Sequence, residues 1–241
     1  MENFNSFGLN KEILKNLNHL KLLKPTPIQV QAIKPALMGK DILGSAHTGT
    51  GKTAAFGLPL IHKLMQNNSS CALILTPTRE LAVQVNKSLN DLMKNSGIIS
   101  ALIIGGESMG KQFKQLKRNP RLIIGTPGRV NDHLTRKSLN FNKTNYLVLD
   151  ETDRMLDMGF SIQIEKILKY LPKVRQTLLF SATLPKNIKE ISQKYLHKPI
   201  TISVDEQSTI LTKIKHEVFN IEQADKYGKL IEQINSRDGS I

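Results

Sequence analysis

The chain has 241 residues, and its 39% apolar content is enough for one large domain with a substantial core. Its 34 lysine and arginine residues against 20 acidic ones leave a net charge of +14, which favours a polyanionic partner such as nucleic acid, although a solvated, lysine-rich surface would show the same excess. The single cysteine, Cys71, excludes an internal disulfide and is expected to be a buried strand residue, and the sequence contains neither a membrane span nor a secretion signal. We therefore expect a globular protein of the cytoplasm.

Short aliphatic runs alternate with polar, helix-like stretches along most of the chain. In chain order they are DILGSA at 41–46, CALILTP at 71–77, SALIIGG at 100–106, RLIIGTP at 121–127, YLVLDE at 146–151, TLLFSAT at 177–183 and PITISV at 199–204. This alternation predicts stacked βαβ units, and therefore a three-layer α/β fold with a mostly parallel central sheet and helices on both faces. The runs end in Gly, Pro, Ser, Thr or acidic residues, which places these residues at the carboxyl edge of the sheet, where open α/β folds bind ligands.

The apolar rhythm stops after Val204, which sets the predicted domain boundary. In this interpretation residues 1–204 form the main domain, residues 205–216 are a linker, and residues 217–241 are the truncated start of a second domain. That last segment is too short to bury a core of its own.

The segment SAHTGTGKTAAF, which begins at Ser45, has the pattern of a phosphate-binding loop between a strand and a helix. Its glycines let backbone N–H groups turn toward phosphates, Lys52 reaches the outer phosphates, and the hydroxyl of Thr53 can bind Mg²⁺. Ala46 stands where the standard pattern opens with glycine, a replacement that still permits the turn, and His47 is expected to face solvent. The predicted nucleotide-binding residues of the loop are Thr48, Gly49, Thr50, Gly51, Lys52 and Thr53.

Three acids, Asp150, Glu151 and Asp153, follow the strand-like run YLVL and fall on the same predicted sheet edge. Crowded carboxylates repel one another, so they usually need a cation or a proton. A phosphate loop at that edge brings Mg²⁺, whose coordination Asp150 completes together with Thr53. Glu151 can then orient or deprotonate the water that attacks the γ-phosphate, which makes Glu151, Asp150 and Lys52 the predicted catalytic residues. The alternative, in which the acids cap the following helix, accounts for one of them at most.

In order and spacing the motifs resemble the N-terminal, RecA-like half of a DEAD-box RNA helicase, over roughly residues 4–205. The motifs that carry the resemblance are KPTPIQ at 24–29, AHTGTGKT at 46–53, PTRELA at 77–82, the glycine pair at 105–106, TPGR at 126–129, DETD at 150–153 and SAT at 181–183. The resemblance implies a RecA-like fold and an ATP-dependent RNA helicase, an enzyme whose ATPase is stimulated by RNA. ATP and Mg²⁺ are then the cofactors, and RNA is the partner.

The resemblance also implies how the adenine base is recognised. Gln29 would bind the adenine edge, because a carboxamide offers the donor and the acceptor that complement this edge. Thr26 and Lys24 would support this contact, and the aromatic ring of Phe4 would cover the base.

The other implied site residues contact RNA or connect the two ligands. The implied RNA contacts are Pro77, Thr78, Arg79, Gly106, Thr126, Pro127, Gly128 and Arg129. Ser181 and Thr183 would couple the ATP state to RNA binding through Asp153.

The sequence departs from the family pattern in two motifs. Thr152 stands where the family name has alanine, which adds a hydroxyl beside the acids, and Lys21 stands where the adenine motif often has glycine. We also expect the family's second domain, with its arginine fingers, to be missing, so that the chain alone is a poorly active monomer. Arg79, Arg129 and Arg154 are expected to point away from the γ-phosphate.

Two alternative functions stay open at this stage. A non-catalytic, nucleotide-gated RNA-binding module would use the same residues without the groups that complete hydrolysis. A DNA-directed helicase or a transport ATPase is disfavoured, because neither class explains the motifs KPTPIQ and PTRELA.

Overall fold

The structure is a computed structural model that describes residues 3–204 and 217–236. The chain divides into two compact units, Met1–Asp205 and Glu206–Ile241. The linker predicted at residues 205–216 lies outside the described residues.

A parallel β-sheet forms the centre of the first unit. Its strands are β1 Ile42–Ser45, β2 Cys71–Leu75, β3 Ser100–Ile103, β4 Leu122–Gly125, β5 Thr144–Leu149, β6 Gln176–Ser181 and β7 Ile200–Ser203. Among the described residues the sheet has seven strands in the order β3-β4-β2-β5-β6-β1-β7, and every pairing is parallel. Each predicted aliphatic run therefore forms a strand, and the predicted parallel sheet is confirmed.

Helices connect successive strands and cover the sheet. They are α1 Lys11–His19, α2 Pro27–Leu37, α3 Lys52–Gln66, α4 Arg79–Leu92, α5 Met109–Leu116, α6 Pro127–Thr135, α7 Thr152–Asp157, α8 Ser161–Lys169 and α9 Lys186–Tyr195, with a short 3₁₀ helix at Phe4–Phe7. Several of them begin after a threonine N-cap or with a proline in the first turn. Thr78, for example, accepts a hydrogen bond of 3.2 Å from the N–H of Leu81 and so caps the first turn of α4.

The core has two parts, one on each face of the sheet, because successive strand residues point to opposite faces. Ile74 of β2 belongs to the part covered by α1 to α4, whereas its neighbour Leu73 belongs to the part covered by α6 to α9. Val148 and Leu147 of β5 divide in the same way. Helices on both faces of the sheet complete the predicted three-layer architecture.

Cys71 is the first residue of β2, as predicted for a strand residue, but it is only half-buried. Partial burial raises the pKa of its thiol despite the nearby charge of Arg121. The thiol is therefore protonated at neutral pH, which agrees with the absence of a predicted chemical role.

The described part of the second unit, residues 217–236, contains a 3₁₀ turn at Gln223–Asp225 and the helix α10, Lys226–Asn235. Neither element buries a residue. Across the described residues of the whole chain, no helix is long and apolar enough to cross a membrane.

Candidate active site

The candidate site lies at the carboxyl edge of the sheet, where the loops after β1, β6 and β5 are neighbours. These three strands are adjacent, with β6 between the other two. The loop after β6, which carries the sequence SAT, therefore separates the phosphate loop after β1 from the acids after β5. The topology thus brings the two motifs predicted to bind ATP next to SAT, the motif predicted to couple the ATP state to RNA binding.

The phosphate loop leads from β1 directly into α3. Gly49 and Gly51 have φ angles of 82° and 93°, in the left-handed region that glycine adopts without strain. Lys52 is buried, and its Nζ donates a hydrogen bond of 2.8 Å to the carbonyl oxygen of Ala46. His47 is exposed, as predicted. The loop places a buried ammonium group at the first turn of a helix, an arrangement suited to phosphate groups.

Gln29, the predicted adenine reader, is buried and contacts the phosphate loop. Its Nε2 donates a hydrogen bond of 3.0 Å to the carbonyl of Gly51, and its Oε1 accepts one of 2.9 Å from the N–H of Thr26. A carboxamide has two N–H donors and two lone pairs, so one donor and one acceptor stay available for a base. A Cβ at position 51 would collide with Nε2 of Gln29, which is a second reason for glycine there. No pattern in the sequence predicts this contact.

The other predicted base-binding residues, Phe4 and Lys24, differ in exposure. Phe4 is 5% exposed, and its ring packs edge to face against Phe7 with centroids 6.1 Å apart. Lys24 is exposed. Lys21 has a φ of 58°, so this position adopts the left-handed conformation that glycine favours, and the departure from the family pattern leaves the turn in place.

Asp150 is the most deeply buried of the three acids, with 3% of its surface exposed. Burial raises its pKa to about 6; Lys52 counteracts this rise and the charge of Glu151 adds to it. The described residues contain no group of three or more His, Cys, Asp and Glu side chains that could hold a metal ion. Mg²⁺ bound to phosphates needs only one or two carboxylates from the protein. A buried carboxylate such as Asp150, with the hydroxyl of Thr53 on α3, fits that requirement.

Glu151 connects β5 to α7 and has an unusual backbone conformation. Its φ of 48° and ψ of 52° lie in the left-handed region, which is uncommon for a residue with a side chain and often occurs at functional sites. Its side chain is 11% exposed, and Oε2 lies 3.3 Å from NH1 of Arg154. Arg154, expected to point away from the γ-phosphate, contacts Glu151 because one helical turn brings residues 151 and 154 onto the same side.

Thr152, the departure from the family name, is fully buried. Its hydroxyl donates a hydrogen bond of 3.2 Å to the carbonyl of Leu149 on β5. The hydroxyl therefore points back toward the strand, and its proton is donated to Leu149 and not to Asp150 or Glu151.

Asp153 connects the acids to the loop after β6. Its Oδ2 accepts hydrogen bonds from the backbone N–H of Ala182 at 3.1 Å and from both the N–H and the hydroxyl of Thr183 at 3.0 Å. On the other side of that loop, the carbonyl of Ser181 accepts a hydrogen bond of 3.0 Å from the N–H of Ala46 in the phosphate loop. The segment SAT therefore bridges the acids and the phosphate loop.

A second feature of the same edge is an open groove of about 560 Å³ between the loops after β2, β3 and β4. The predicted RNA contacts that line it are Pro77, Thr78, Arg79, Gly106, Thr126, Gly128 and Arg129. Pro127 is the exception, because it is buried at the first turn of α6. The sequence did not indicate Met158 and Phe160, which add apolar surface to the groove.

Arg79 lies against the glycine pair in this groove. A Cβ at Gly106 would collide with NH1 of Arg79, and one at Gly105 would lie 3.1 Å from NH2. Gly106 also has a φ of 78°. The backbone conformation therefore explains glycine at position 106, and the pair leaves room for the guanidinium of Arg79. Across the groove, NH1 of Arg129 donates a hydrogen bond of 3.0 Å to the carbonyl of Glu107.

Comparison with known proteins gives concordant relatives. The ATP-dependent RNA helicase CshA of Listeria monocytogenes is 43% identical over 231 residues, covering 95% of this chain and 44% of that protein. CshA of Bacillus subtilis is 40% identical, covering 94% and 46%, and RhpA of Helicobacter pylori is 42% identical, covering 92% and 45%. The chain spans about half the length of the curated relatives it matches.

The crystal structure of a DEAD box protein from Methanococcus jannaschii superimposes with a TM-score of 0.80 at 38% identity, covering 97% of this chain and 63% of the other. The RecA-like fold predicted from the sequence is thereby confirmed. Residues 26–191 match the family described as DEAD/DEAH box helicase. The chain belongs to the DEAD/DEAH box helicase family.

Proposed function

We propose that the chain is the ATP-binding half of an ATP-dependent RNA helicase, which couples ATP binding and hydrolysis to RNA binding and local unwinding of a duplex. The observation that carries the proposal is the continuous hydrogen-bonded path from Ala46 through Ser181 and Thr183 to Asp153. It joins the phosphate loop to the acids, and both lie on the edge that also carries the groove. Asp153 belongs to α7, and Met158 and Phe160, which follow α7, line that groove. A change at the nucleotide that moves α7 can therefore alter the surface that would hold RNA.

The phosphate loop and the acids divide the work on ATP. Lys52 and the N–H groups of residues 48–53 would hold the phosphates, while Asp150 and Thr53 would hold Mg²⁺, which neutralises phosphate charge during transfer. Glu151 would orient or deprotonate the attacking water. Its Oε2 is already engaged by Arg154, which fixes the direction of the carboxylate.

The adenine base would bind beside Gln29, since the free donor and acceptor of its carboxamide match those of adenine. Thr26, Lys24 and Phe4 are the proposed walls of the base pocket. Because Gln29 also donates a hydrogen bond to Gly51, binding of the base would act directly on the phosphate loop.

The groove would hold single-stranded RNA through its sugar–phosphate backbone. Arg79 and Arg129 supply positive charge, while Glu80 and Asp132 also line the groove and Asp132 lies 3.6 Å from Nε of Arg129. The backbone at Gly106 and Gly128, which carries no side chain, lets phosphates approach closely. Met158 supplies an apolar surface suited to a ribose or base, as it is 49% exposed. The chemistry is that of backbone recognition, so we expect little preference for RNA sequence.

We further propose that residues 1–204 are the first RecA-like domain, residues 205–216 a linker, and residues 217–241 the start of a second RecA-like domain. The length of the relatives supports this division, because this chain spans only 44% to 46% of three of them. The second domain would complete both the ATP site and the RNA site. We place the protein in the cytoplasm, and residues 1–241 alone as a monomer.

The proposal is tested by linkage between the two ligands. Binding of a fluorescein-labelled single-stranded oligoribonucleotide is followed by anisotropy with and without a non-hydrolysable ATP analogue and Mg²⁺, using residues 1–241 fused to the C-terminal half of the Listeria relative. We expect the nucleotide to tighten RNA binding, and RNA to tighten nucleotide binding by the same factor. Independent binding of the two ligands would contradict the proposed coupling, and binding of DNA in preference to RNA would contradict the proposed partner.

A further inference from the structure

Two fully buried polar side chains, Gln112 of α5 and His133 of α6, lie directly behind the groove. His133 Nε2 and Gln112 Oε1 are 2.9 Å apart, and His133 Nδ1 and the hydroxyl oxygen of Ser138 are 2.8 Å apart. Gln112 Nε2 donates a hydrogen bond of 2.7 Å to the carbonyl of Ile104. The described residues therefore contain a buried series of hydrogen bonds from Ser138 to Ile104. No sequence motif predicted it.

The direction of this series follows from its last member. A backbone carbonyl can only accept, so the atom of Gln112 that faces Ile104 is the amide nitrogen, and the atom that faces His133 is the oxygen. Nε2 of His133 must then carry a proton and donate it to Gln112. Burial, and next the charge of Arg129, lower the pKa of His133, so the ring is neutral and its Nδ1 is an acceptor. The single hydroxyl proton of Ser138 has two acceptors within reach, this Nδ1 at 2.8 Å and the carbonyl oxygen of His133 at 3.0 Å.

Gln112 contacts two of the loops that line the groove. Ile104 is the residue immediately before the glycine pair, on which Arg79 lies. The same Oε1 that accepts from His133 lies 3.4 Å from NH1 of Arg129. One side chain thus fixes the backbone on one side of the groove and approaches a guanidinium on the other.

We propose that Gln112, oriented by His133, is a positioning residue for RNA binding: it sets the glycine pair and Arg129 at the spacing that the RNA backbone requires. The inference rests on the proposed function of the groove. A packing role alone does not explain the choice of residues, because an aliphatic side chain would fill the same volume without the cost of burying a carboxamide. A fully satisfied buried network instead fixes one arrangement of the groups that it connects.

The principal experiment is the substitution Gln112→Met in residues 1–241. Methionine has a similar length and keeps the packing, but it can neither donate to Ile104 nor accept from His133 and Arg129. We expect the affinity for a labelled single-stranded oligoribonucleotide to fall by about three- to tenfold, since two or three hydrogen bonds are lost. The slope of log affinity against log salt should fall by about 1 if Arg129 loses its phosphate contact. Affinity for ADP should not change.

Gln176→Met is the matched control. Gln176 also donates to two backbone carbonyls, those of Ala36 at 2.9 Å and Lys40 at 2.6 Å, but it lies at the start of β6, at the opposite edge of the sheet from the groove. We expect this variant to lose stability by a similar amount and to keep its affinity for RNA. Equal losses of RNA affinity in the two variants would mean that general destabilisation is responsible, and would overturn the inference.

A rescue experiment distinguishes positioning from structure in another way. In His133→Gln the new amide can still donate to Gln112, whereas in His133→Leu no donor is left. RNA affinity should be retained in the first variant and reduced in the second; the reverse order, or equal affinities, would contradict the inference.

Arg79→Gln tests RNA binding by the groove separately from the role of Gln112. If it loses RNA affinity while Gln112→Met does not, the groove binds RNA without Gln112 as its positioning residue. If the wild-type chain binds no RNA, the proposed function and this inference both fail.

Discussion

The carboxylate of Asp153 accepts two hydrogen bonds from Thr183, one from its N–H and one from its hydroxyl, both 3.0 Å long. These bonds connect the end of β5 to the end of β6, across 30 residues of sequence. Partial burial would raise the pKa of Asp153, but the hydrogen bonds, led by that from the Thr183 hydroxyl, outweigh it and hold the pKa below its ordinary value of 3.8. The contact is therefore stabilised by the charged form of Asp153.

The first prediction is a pH dependence of stability. Because the pKa of Asp153 is lower in the folded state, its contribution to stability is complete above the unfolded pKa of about 4 and is lost as the pH falls through the lower, folded pKa. Asp153→Asn should reduce the free energy of unfolding at pH 7 by about 1.5–3 kcal/mol, the range for hydrogen bonds to a charged group. Urea unfolding at several pH values should also show a shallower loss of stability for the variant below pH 4.

Thr183→Val is the matching change on the partner side, since it removes only the hydroxyl. The two N–H donors of residues 182 and 183 stay in place, so the loss at pH 7 should be about 0.5–1.5 kcal/mol. If the wild type and Asp153→Asn lose stability in parallel on acidification, Asp153 does not titrate with a lowered pKa.

The second prediction concerns the two contacts of Gln29. Gln29→Ala removes the base reader and the donor to Gly51 together, so the preference for ATP over GTP should fall and the affinity for both nucleotides should fall as well. Gln29→Glu keeps an acceptor for the N–H of Thr26 but cannot donate to Gly51. Calorimetry with ATP and GTP measures the affinity for each nucleotide and the preference for ATP. Unchanged discrimination in Gln29→Ala would remove Gln29 from the base pocket.

The sequence was sufficient for the sheet and its edge because these depend on hydrophobic periodicity, which is local. The runs that begin near Ile42, Cys71 and Tyr146 are strands, and their polar ends meet as expected. Side-chain partners were not accessible in this way. Arg154 turns toward Glu151, and the hydroxyl of Thr152 turns away from the acids, because each side chain chooses among rotamers according to neighbours in space.

Long-range polar contacts were the least predictable part of the site. Gln112 and His133 are separated by 21 residues and lie in helices without any recognisable motif. Their burial could not be predicted from their residue types, because polar side chains are usually exposed. Pro127 is the converse case: it belongs to a recognisable motif, yet it is buried at the start of α6.

The third prediction is that Lys52→Ala abolishes measurable ATP binding. Its charge-assisted contacts to the phosphates cannot be replaced by alanine. Its loss also removes the cation that counteracts the raised pKa of Asp150. Lys63→Ala, on the same helix α3, is the control and should bind ATP normally. Equal affinities of Lys52→Ala and wild type in calorimetry would refute the role of Lys52.

The fourth prediction is that Glu151→Gln keeps Mg²⁺ and ATP bound but blocks hydrolysis. The amide can still accept from Arg154, so the side chain should keep its position, whereas it cannot take a proton from water. Asp157→Asn makes the same chemical change six residues later on α7 and should leave turnover unaffected. Turnover is measured in the fusion to the C-terminal half of the Listeria relative. Wild-type turnover in Glu151→Gln would show that another group positions the water.

The last prediction concerns residues 1–241 by themselves: they should bind adenine nucleotides, bind RNA weakly, and neither unwind a duplex nor hydrolyse ATP at a useful rate. Phosphoryl transfer needs positive charge on the far side of the γ-phosphate, and an arginine finger contributes on the order of 10³–10⁵ in rate. In the part of the chain that the structure describes, Arg79 and Arg129 line the groove and Arg154 pairs with Glu151, so we expect none of the three to act as that finger. Unwinding also requires a second domain, because one groove can hold a strand but cannot close on it.

Fusion to the C-terminal half of the Listeria relative should therefore raise RNA-stimulated turnover by orders of magnitude, and Arg154→Gln should not abolish that gain. Robust RNA-stimulated hydrolysis and unwinding by residues 1–241 alone would show that the two-domain mechanism does not apply to this protein.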